Sequence, residues 1–202
     1  MKQIVSILRD FFRGTQEGLR ADQIDTEAGI VDFIATRAAH VAQTSLYGYL
    51  RTRMGTRERE IFQDEAFAEP LRNARQTMLM LCLSDLTVFA ASLVEANQVE
   101  LSKRWYRAAA LAADPELSEA VLDDGFAEFE TRLREIDWAN AAQREGAFTE
   151  SPKGLVAAAP VVDDFKELDA EIVTNSVRFR WTDVRRQLRE RVNPQAFLAA
   201  RT

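Results

Sequence analysis

The chain has 202 residues, of which 47% are apolar and 29% are charged, so it can bury the core of one ordinary domain and is not a disordered chain. Its single cysteine, Cys82, excludes an intramolecular disulfide and a cysteine-based zinc site. Its single histidine, His40, excludes most histidine-rich metal sites. The formal net charge of −6 makes nucleic acid the least favoured partner.

The N-terminal segment, residues 1–24, predicts a short amphipathic helix followed by a linker. It lacks the apolar core and the small-residue cleavage site of a secretory signal, so we expect a cytoplasmic protein. Two interpretations of its apolar stripe are open: the stripe packs on the body of the protein, or it lies on an anionic membrane surface, peripheral to the inner membrane. The side chains that we expect to form this interaction surface are Ile4, Leu8, Phe11 and Phe12.

Two long helices are predicted in the first half of the chain. The first extends from about Asp25, where Asp and Thr suit an N-cap, to Met54, where the following glycine provides a stop. The second opens at Pro70, because proline is favoured at the first position of a helix, and continues to about Asn97. Its middle is apolar on nearly every side, which predicts the central helix of the fold, and Asp85 within it argues against a membrane span.

Two further helices are predicted before residue 144. The first covers about Val99 to Ala112. The second starts at Asp114, where a cap, a proline and an acid follow one another, and runs to about Arg144. Its apolar residues recur at helical spacing and predict a seam against another helix, in this molecule or in a homodimer: Leu122, Phe126, Phe129, Leu133 and Ile136.

The C-terminal part, residues 145–202, is predicted to be a linker, over 145–160, and a basic helical arm with apolar residues at helical spacing. Between residues 177 and 181 apolar and arginine side chains alternate, which would also suit a strand. We favour a helix because a single short strand would have no partner elsewhere in the chain. The sequence therefore predicts an all-α protein, a bundle of about five to seven helices around the helix at 70–97, with the helical core at 25–144.

Charge is unevenly distributed along the chain. Nine acids lie between residues 114 and 137 against two arginines, and six arginines lie between residues 178 and 191 against two acids. One interpretation is that the basic arm faces the acidic helix, in this molecule or in a second copy. The alternative is that the arm contacts an acidic protein, lipid headgroups or RNA, of which RNA is the least favoured. The arginines that we expect to form this interaction surface are Arg178, Arg185, Arg186 and Arg189.

The usual catalytic motifs are absent from the sequence. It contains no G-x-S-x-G, so an orthodox α/β-hydrolase is excluded, and its single histidine excludes the paired Glu-x-x-His of a helical di-iron site. It contains no G-x-x-x-x-G-K-[ST] and no G-x-G-x-x-G, so no nucleotide cradle is recognisable. No residue requires a metal or a cofactor, and we expect none.

One group of polar residues is a candidate ligand site. His40, Gln43 and Tyr47 share a face of the first long helix, with Arg37 beside them, and His40 or Arg37 would reach Asp85 if the two long helices are neighbours. In one interpretation such a pair is structural, because a buried carboxylate needs a partner. In the other it belongs to a pocket that binds a small molecule or performs acid–base chemistry, with His40 as the base and Tyr47 as a donor.

Two stretches of the sequence carry a resemblance. FIATRAAHVAQTSLYGYLRTRMGTR, at residues 33–57, and CLSDLTVFA, at residues 82–90, resemble a family of small alphaproteobacterial helical proteins whose members sometimes carry an esterase label. The resemblance implies a bacterial, cytoplasmic origin. This sequence departs from the esterase label because it lacks a nucleophile elbow, so the resemblance transfers no catalytic residue.

These observations favour a non-enzymatic helical interaction protein, an accessory or assembly subunit that docks on a protein partner or on a second copy. The missing catalytic motifs and the charged, amphipathic end segments are the basis for this prediction. The alternative is a small-molecule-binding bundle or an unorthodox hydrolase that uses the polar pocket around His40, Tyr47 and Asp85.

Overall fold

The structure, a computed structural model, describes residues 23–94, 97–143 and 146–199, with side chains up to Phe197. Over these residues the chain is an all-α bundle, as predicted, and a parallel bridge between Ile24 and Val192 is the β pairing that they contain. In chain order the helices are α1 (Glu27–Met54), α2 (Glu58–Ile61), α3 (Glu65–Ser92), α4 (Gln98–Ala113), α5 (Glu119–Leu133), α6 (Trp138–Ala141), α7 (Glu150–Ala158), α8 (Asp163–Arg191) and α9 (Pro194–Ala199).

Helix α1 begins and ends where local sequence signals place its ends. The Thr26 hydroxyl accepts a hydrogen bond from the Gly29 amide at 3.1 Å, which satisfies a donor of the first turn. At the other end Gly55 has a φ of 54°, a conformation that costs a glycine little and strains other residues. The predicted bounds of about Asp25 to Met54 are therefore confirmed.

Helix α3 is the central element of the bundle. Between Met78 and Ala91 every side chain except that of Leu81 is buried, and the helix packs against α1, α4, α5, α6 and α7. Such a helix must be apolar on all sides, which explains the long apolar run in this part of the sequence.

The bounds of α3 differ from the prediction at both ends. The helix begins at Glu65 rather than at Pro70, because the Asp64 carboxylate caps it by accepting the Ala66 amide at 2.9 Å. Pro70 then lies in the second turn, on the exposed side, where its missing N–H removes a single helical hydrogen bond. The helix ends at Ser92 instead of continuing to Asn97, which adopts a left-handed conformation before α4.

The acidic helix is shorter than predicted. The Asp114 carboxylate accepts the Glu116 amide at 3.2 Å and closes a turn, and α5 itself starts only after Ser118, whose hydroxyl accepts the Val121 amide at 3.4 Å. The helix stops at Leu133, and the short α6 follows, so the prediction of one helix to residue 144 was wrong.

The C-terminal part contains more structure than predicted. The expected linker at residues 145–160 includes helix α7, whose Ser151, Pro152 and Leu155 are buried. Residues 177–181 are helical, within the 29-residue α8, as favoured. Helix α8 packs on α7 and on α1. The Ile24–Val192 bridge joins the residues just before α1 to the residue that follows α8. The inner face of α8 that faces the core consists of Val173, Val177, Trp181, Val184 and Leu188.

Candidate functional site

The carboxylate of Asp85 forms the cap of another helix. Asp85 lies on α3 and is completely buried. Its two oxygens accept the backbone amides of Glu150, at 3.1 Å, and Ser151, at 2.8 Å, and the Ser151 hydroxyl donates to it at 2.6 Å. Thr149, the residue before α7, makes no capping bond with its side chain. Asp85 therefore supplies the negative charge that the N-terminus of α7 favours.

Arg132 provides the countercharge of Asp85. Its guanidinium reaches inward from α5, with 10% of the side chain exposed, and lies 3.0 Å from an Asp85 oxygen. It also donates to the Ser84 hydroxyl at 2.6 Å and to the Ala147 carbonyl at 2.5 Å. Burial raises the pKa of the Asp85 carboxyl, and the positive charge of Arg132 opposes that rise.

The inner face of α8 joins the same network. The indole N–H of Trp181 donates to the Ser151 hydroxyl oxygen at 2.9 Å, and the ring of Trp181 lies 4.8 Å from that of Phe148. Ser151 thus accepts from Trp181 and donates to Asp85, so its hydroxyl is held between two fixed partners. The arrangement connects α3, α5, α7 and α8, and its Asp85 and Ser151 side chains are fully buried, out of reach of a substrate. We conclude that this network is structural.

The polar partners of Asp85 are not the other residues of the predicted ligand site. The hydrogen bonds and the ion pair of Asp85 go to Arg132, Glu150 and Ser151, and the predicted contact with Arg37 or His40 is not among them. Asp85 does belong to a buried Asp–Arg pair, but its arginine is Arg132 of α5 and not the predicted Arg37, because the sequence does not reveal the position of α5.

The remaining predicted ligand residues do lie on one side of α1 and are half-buried: Arg37, His40, Gln43 and Tyr47. Burial lowers the pKa of His40, and the positive charges of Arg37 and of Arg180 on α8 lower it further. The ring of Tyr47 lies 5.8 Å from that of Phe62. Ligand binding at these residues stays a prediction.

A groove that sequence reasoning missed lies between α3, α4 and α5. Its volume is about 320 Å³, and its walls include Met80, Tyr106 and Arg132. Tyr106 donates to the Gly125 carbonyl at 3.2 Å, and burial raises the pKa of this tyrosine well above its usual value. A Cβ at Gly125 would lie 2.7 Å from the end of the flexible Met80 side chain and 3.2 Å from the Tyr106 hydroxyl, so a larger residue there would require Met80 to move. No motif identifies the groove, since its walls come from four distant parts of the chain, the three helices and Glu150 at the start of α7.

The outer face of α8 is apolar and exposed. The fractional exposure of its large apolar side chains is 44% for Phe165, 72% for Leu168, 74% for Ile172 and 79% for Phe179. With about 100° of rotation per residue these four side chains form one stripe along the helix, nearly opposite the inner face. Isolated apolar residues on a surface are ordinary, whereas these four lie along one face of the longest described helix, with Asn175 and Ser176 between Ile172 and Phe179.

The four arginines that were predicted as an interaction surface divide into two groups. Arg185 and Arg189 turn toward the body, because their guanidinium groups lie over the rings of Phe148, at 5.5 Å, and Phe89, at 5.1 Å. Arg186 pairs with Asp183 and Glu190 of its own helix, and Arg178 donates to Asn175 at 3.5 Å.

The acidic α5 packs on α4 and α3, whereas α8 packs on α7 and α1, so the main packing of the molecule does not bring the basic helix against the acidic one. The predicted N-terminal surface of Ile4, Leu8, Phe11 and Phe12 lies outside the described residues.

Comparison with known proteins gives no information on the family or the function of this chain. Neither protein-family models, nor curated proteins, nor solved structures gave a match to this chain. In the described part of the chain no group of His, Cys, Asp and Glu side chains is arranged to hold a metal ion, and no helix has the length and apolarity needed to cross a bilayer.

Proposed function

We propose that this chain is a non-enzymatic helical interaction protein, an accessory or assembly subunit that docks on a protein partner through the outer face of α8. The observation that carries the proposal is the exposed stripe of Phe165, Leu168, Ile172 and Phe179. Such a stripe suits an α-helix of the partner that has an apolar face of its own, because two helices then bury their stripes against each other.

The polar groups on both sides of the stripe define the chemistry of the partner further. The N-terminal half of α8 is acidic, with five acids and one lysine between residues 163 and 171. The C-terminal half is basic, with six arginines and two acids between residues 178 and 191. A partner helix whose charges run in the opposite order would be attracted in one orientation and repelled in the other.

The alternative of a ligand pocket around His40, Tyr47 and Asp85 has less support. Asp85 is committed to Arg132 and to the start of α7, so it has no capacity left for a ligand. As part of the same proposal we place the protein in the cytoplasm, and fractionation of cells into soluble and membrane parts tests this location against the alternative of peripheral membrane contact.

The experiment that tests the proposed function compares two tagged full-length variants with the unmodified chain. Ile172→Asp places a charge in the stripe, and Leu111→Asp places the same charge on an exposed leucine of α4. Each of the three chains is co-expressed with a second copy of itself that carries a different tag, and it is purified from gently lysed cells through the first tag. The proteins recovered with it are quantified by mass spectrometry. We expect a stoichiometric partner that Ile172→Asp loses and Leu111→Asp retains. Equal recovery of every protein with all three chains would contradict the proposal.

A further inference from the structure

The outer face of α8 has the symmetry that a pairing with itself requires. We infer that its partner is a second copy of this chain, with the two α8 helices antiparallel about a two-fold axis close to Ile172. This inference rests on the proposed function, since it identifies the partner of the same surface. Dimers with a two-fold axis are the commonest protein assemblies, and they need a patch that is complementary to itself.

The apolar stripe meets this requirement by its spacing. Phe165 and Phe179 each lie seven residues from Ile172, on opposite sides of it. An antiparallel two-fold at Ile172 therefore places Phe165 of one copy level with Phe179 of the other, and it places the two Ile172 side chains against each other. Leu168 lies in the same stripe and is exposed, so it fills the space between these pairs.

The charges of α8 favour the same orientation. In an antiparallel pair the acidic half of each helix lies beside the basic half of the other, whereas a parallel pair would put like charges together. At about 100° of rotation per residue, Asp164, Glu167 and Arg178 project on the same flank of the stripe. With the axis at Ile172, Arg178 of one copy is level with residue 166 of the other and so lies between Asp164 and Glu167.

The acids of this half of the helix are accessible for such pairing, with the exception of Asp169. Asp164, Glu167 and Glu171 are all exposed. Asp169 is instead held by Arg53 of α1, which binds both of its oxygens, and this contact fixes the acidic half of α8 on the body of its own copy. The Arg53 guanidinium also lies 4.8 Å from the centre of the Phe165 ring, so Phe165 is supported from behind while its outer side is open.

Cysteine cross-linking tests the pairing and its direction together. The native Cys82 is fully buried, so an introduced thiol is the accessible one in the part of the chain that the structure describes. Purified full-length Ile172→Cys should form a disulfide dimer on mild oxidation, because its thiols meet at the two-fold axis. A mixture of Phe165→Cys and Phe179→Cys should form the mixed disulfide.

The same experiment contains its own controls for direction and specificity. Phe179→Cys alone should form no disulfide dimer, because fourteen residues separate the two copies of this position along the helices, which is about 21 Å. A disulfide between two Phe179→Cys chains would indicate parallel helices and would overturn the inference. Leu111→Cys, on α4, should give no dimer, and an equal yield from this variant would show that the cross-links form by random collision.

Mass measurements without cross-linking separate the failure of this inference from failure of the proposed function. We expect the mass of the purified chain to rise with concentration, and Ile172→Asp to weaken self-association by about 30-fold or more, as for a central interface residue. A chain that stays monomeric at its highest soluble concentration would overturn the inference, and so would a monomer that binds anionic phospholipid vesicles through this face. If such a monomer still loses a different protein partner on Ile172→Asp substitution, the proposed function stands and only the identity of the partner is wrong.

Discussion

The inner and outer faces of α8 use similar residue types for different purposes. On the inner face Trp181 is completely buried and donates to Ser151, which in turn donates to Asp85 beside Arg132. On the outer face Ile172 and Phe179 are as apolar as the inner residues but lie mostly in solvent. The inner face is complete within one chain, whereas the outer face lacks a covering element among the described residues. The comparison teaches that the buried polar network holds the helix in place while large apolar side chains on its opposite side stay exposed, and our proposal rests on this difference.

Removal of Arg132 should have the largest effect on stability. Arg132→Met leaves the buried Asp85 carboxylate without its countercharge, and we expect the free energy of unfolding to fall by about 3–5 kcal/mol. Denaturant unfolding at a fixed protein concentration measures this loss in the free energy of unfolding. Arg134→Met, which changes an exposed arginine two residues away, should cost less than about 0.5 kcal/mol. Similar losses in the two variants would show that the Asp85–Arg132 pair does not hold the inner face.

The same pair can be tested by its coupling. Asp85→Asn and Arg132→Met in one chain should destabilise it by less than the sum of the two single substitutions, because each single change leaves the other group unpaired. Additive losses in unfolding experiments would mean that the two side chains act independently, against the 3.0 Å contact.

A smaller loss is expected when the inner face loses one hydrogen bond. Trp181→Phe removes the indole N–H that donates to Ser151 and leaves a small void, so we expect a cost of about 1–3 kcal/mol. The matched control is Trp138→Phe on α6, where the tryptophan is only half-buried. Thermal unfolding of the two variants side by side makes the comparison, and an unchanged midpoint for Trp181→Phe would contradict the role of this bond.

Substitutions on the outer face should hardly change the free energy of unfolding of the isolated chain. Leu168→Ser changes a side chain that is mostly in solvent, so we expect a change within about 0.5 kcal/mol in dilute solution, where the chains are separate. Val177→Ser, on the inner face, should instead lower the free energy of unfolding by more than about 2 kcal/mol, because it buries a hydroxyl in place of methyl groups. Equal losses would mean that the outer face is covered in the folded monomer.

The smallest effect concerns the single histidine. Burial and the charges of Arg37 and Arg180 lower the pKa of His40 below its ordinary value of 6.5, so the unfolded chain binds this proton more readily than the folded one. The contribution of His40 to stability is therefore complete above pH 6.5 and decreases as the pH falls below it. An NMR titration of the imidazole should give a midpoint below 6.5, and Arg180→Gln should raise it while Arg72→Gln, on an exposed part of α3, should not. A midpoint at or above 6.5 in the unmodified chain would contradict this environment.

Local signals were sufficient to predict part of this fold. Thr26 and Gly55 determine the ends of α1 through short-range hydrogen bonding and backbone conformation, so both ends could be read from the sequence. Pro70 and Pro115 were misleading, because an exposed helix can tolerate a proline in its second turn at the loss of one hydrogen bond, and because proline also suits an isolated turn. Which residue starts the helix depends on other capping side chains nearby, here Asp64 for α3 and Ser118 for α5.

The site was less predictable than the fold because its partners are distant in the sequence. The sequence showed that Asp85 needs a partner, but Arg132 lies on another helix and becomes that partner only through tertiary packing. Likewise, Phe165, Leu168 and Ile172 recur at helical spacing as a core-facing stripe would, and spacing alone does not distinguish a covered stripe from an exposed one. The exposure of these side chains in the folded chain is what separates the two.

The most direct test of the central claim, that the outer face of α8 is an association surface, is native mass spectrometry of the full-length protein isolated from gently lysed cells. The unmodified chain and Ile172→Asp are measured under identical conditions, with Leu111→Asp as the charge control. The account predicts a dimer for the unmodified chain and for Leu111→Asp, and a folded monomer for Ile172→Asp. The same mass for all three chains would contradict it.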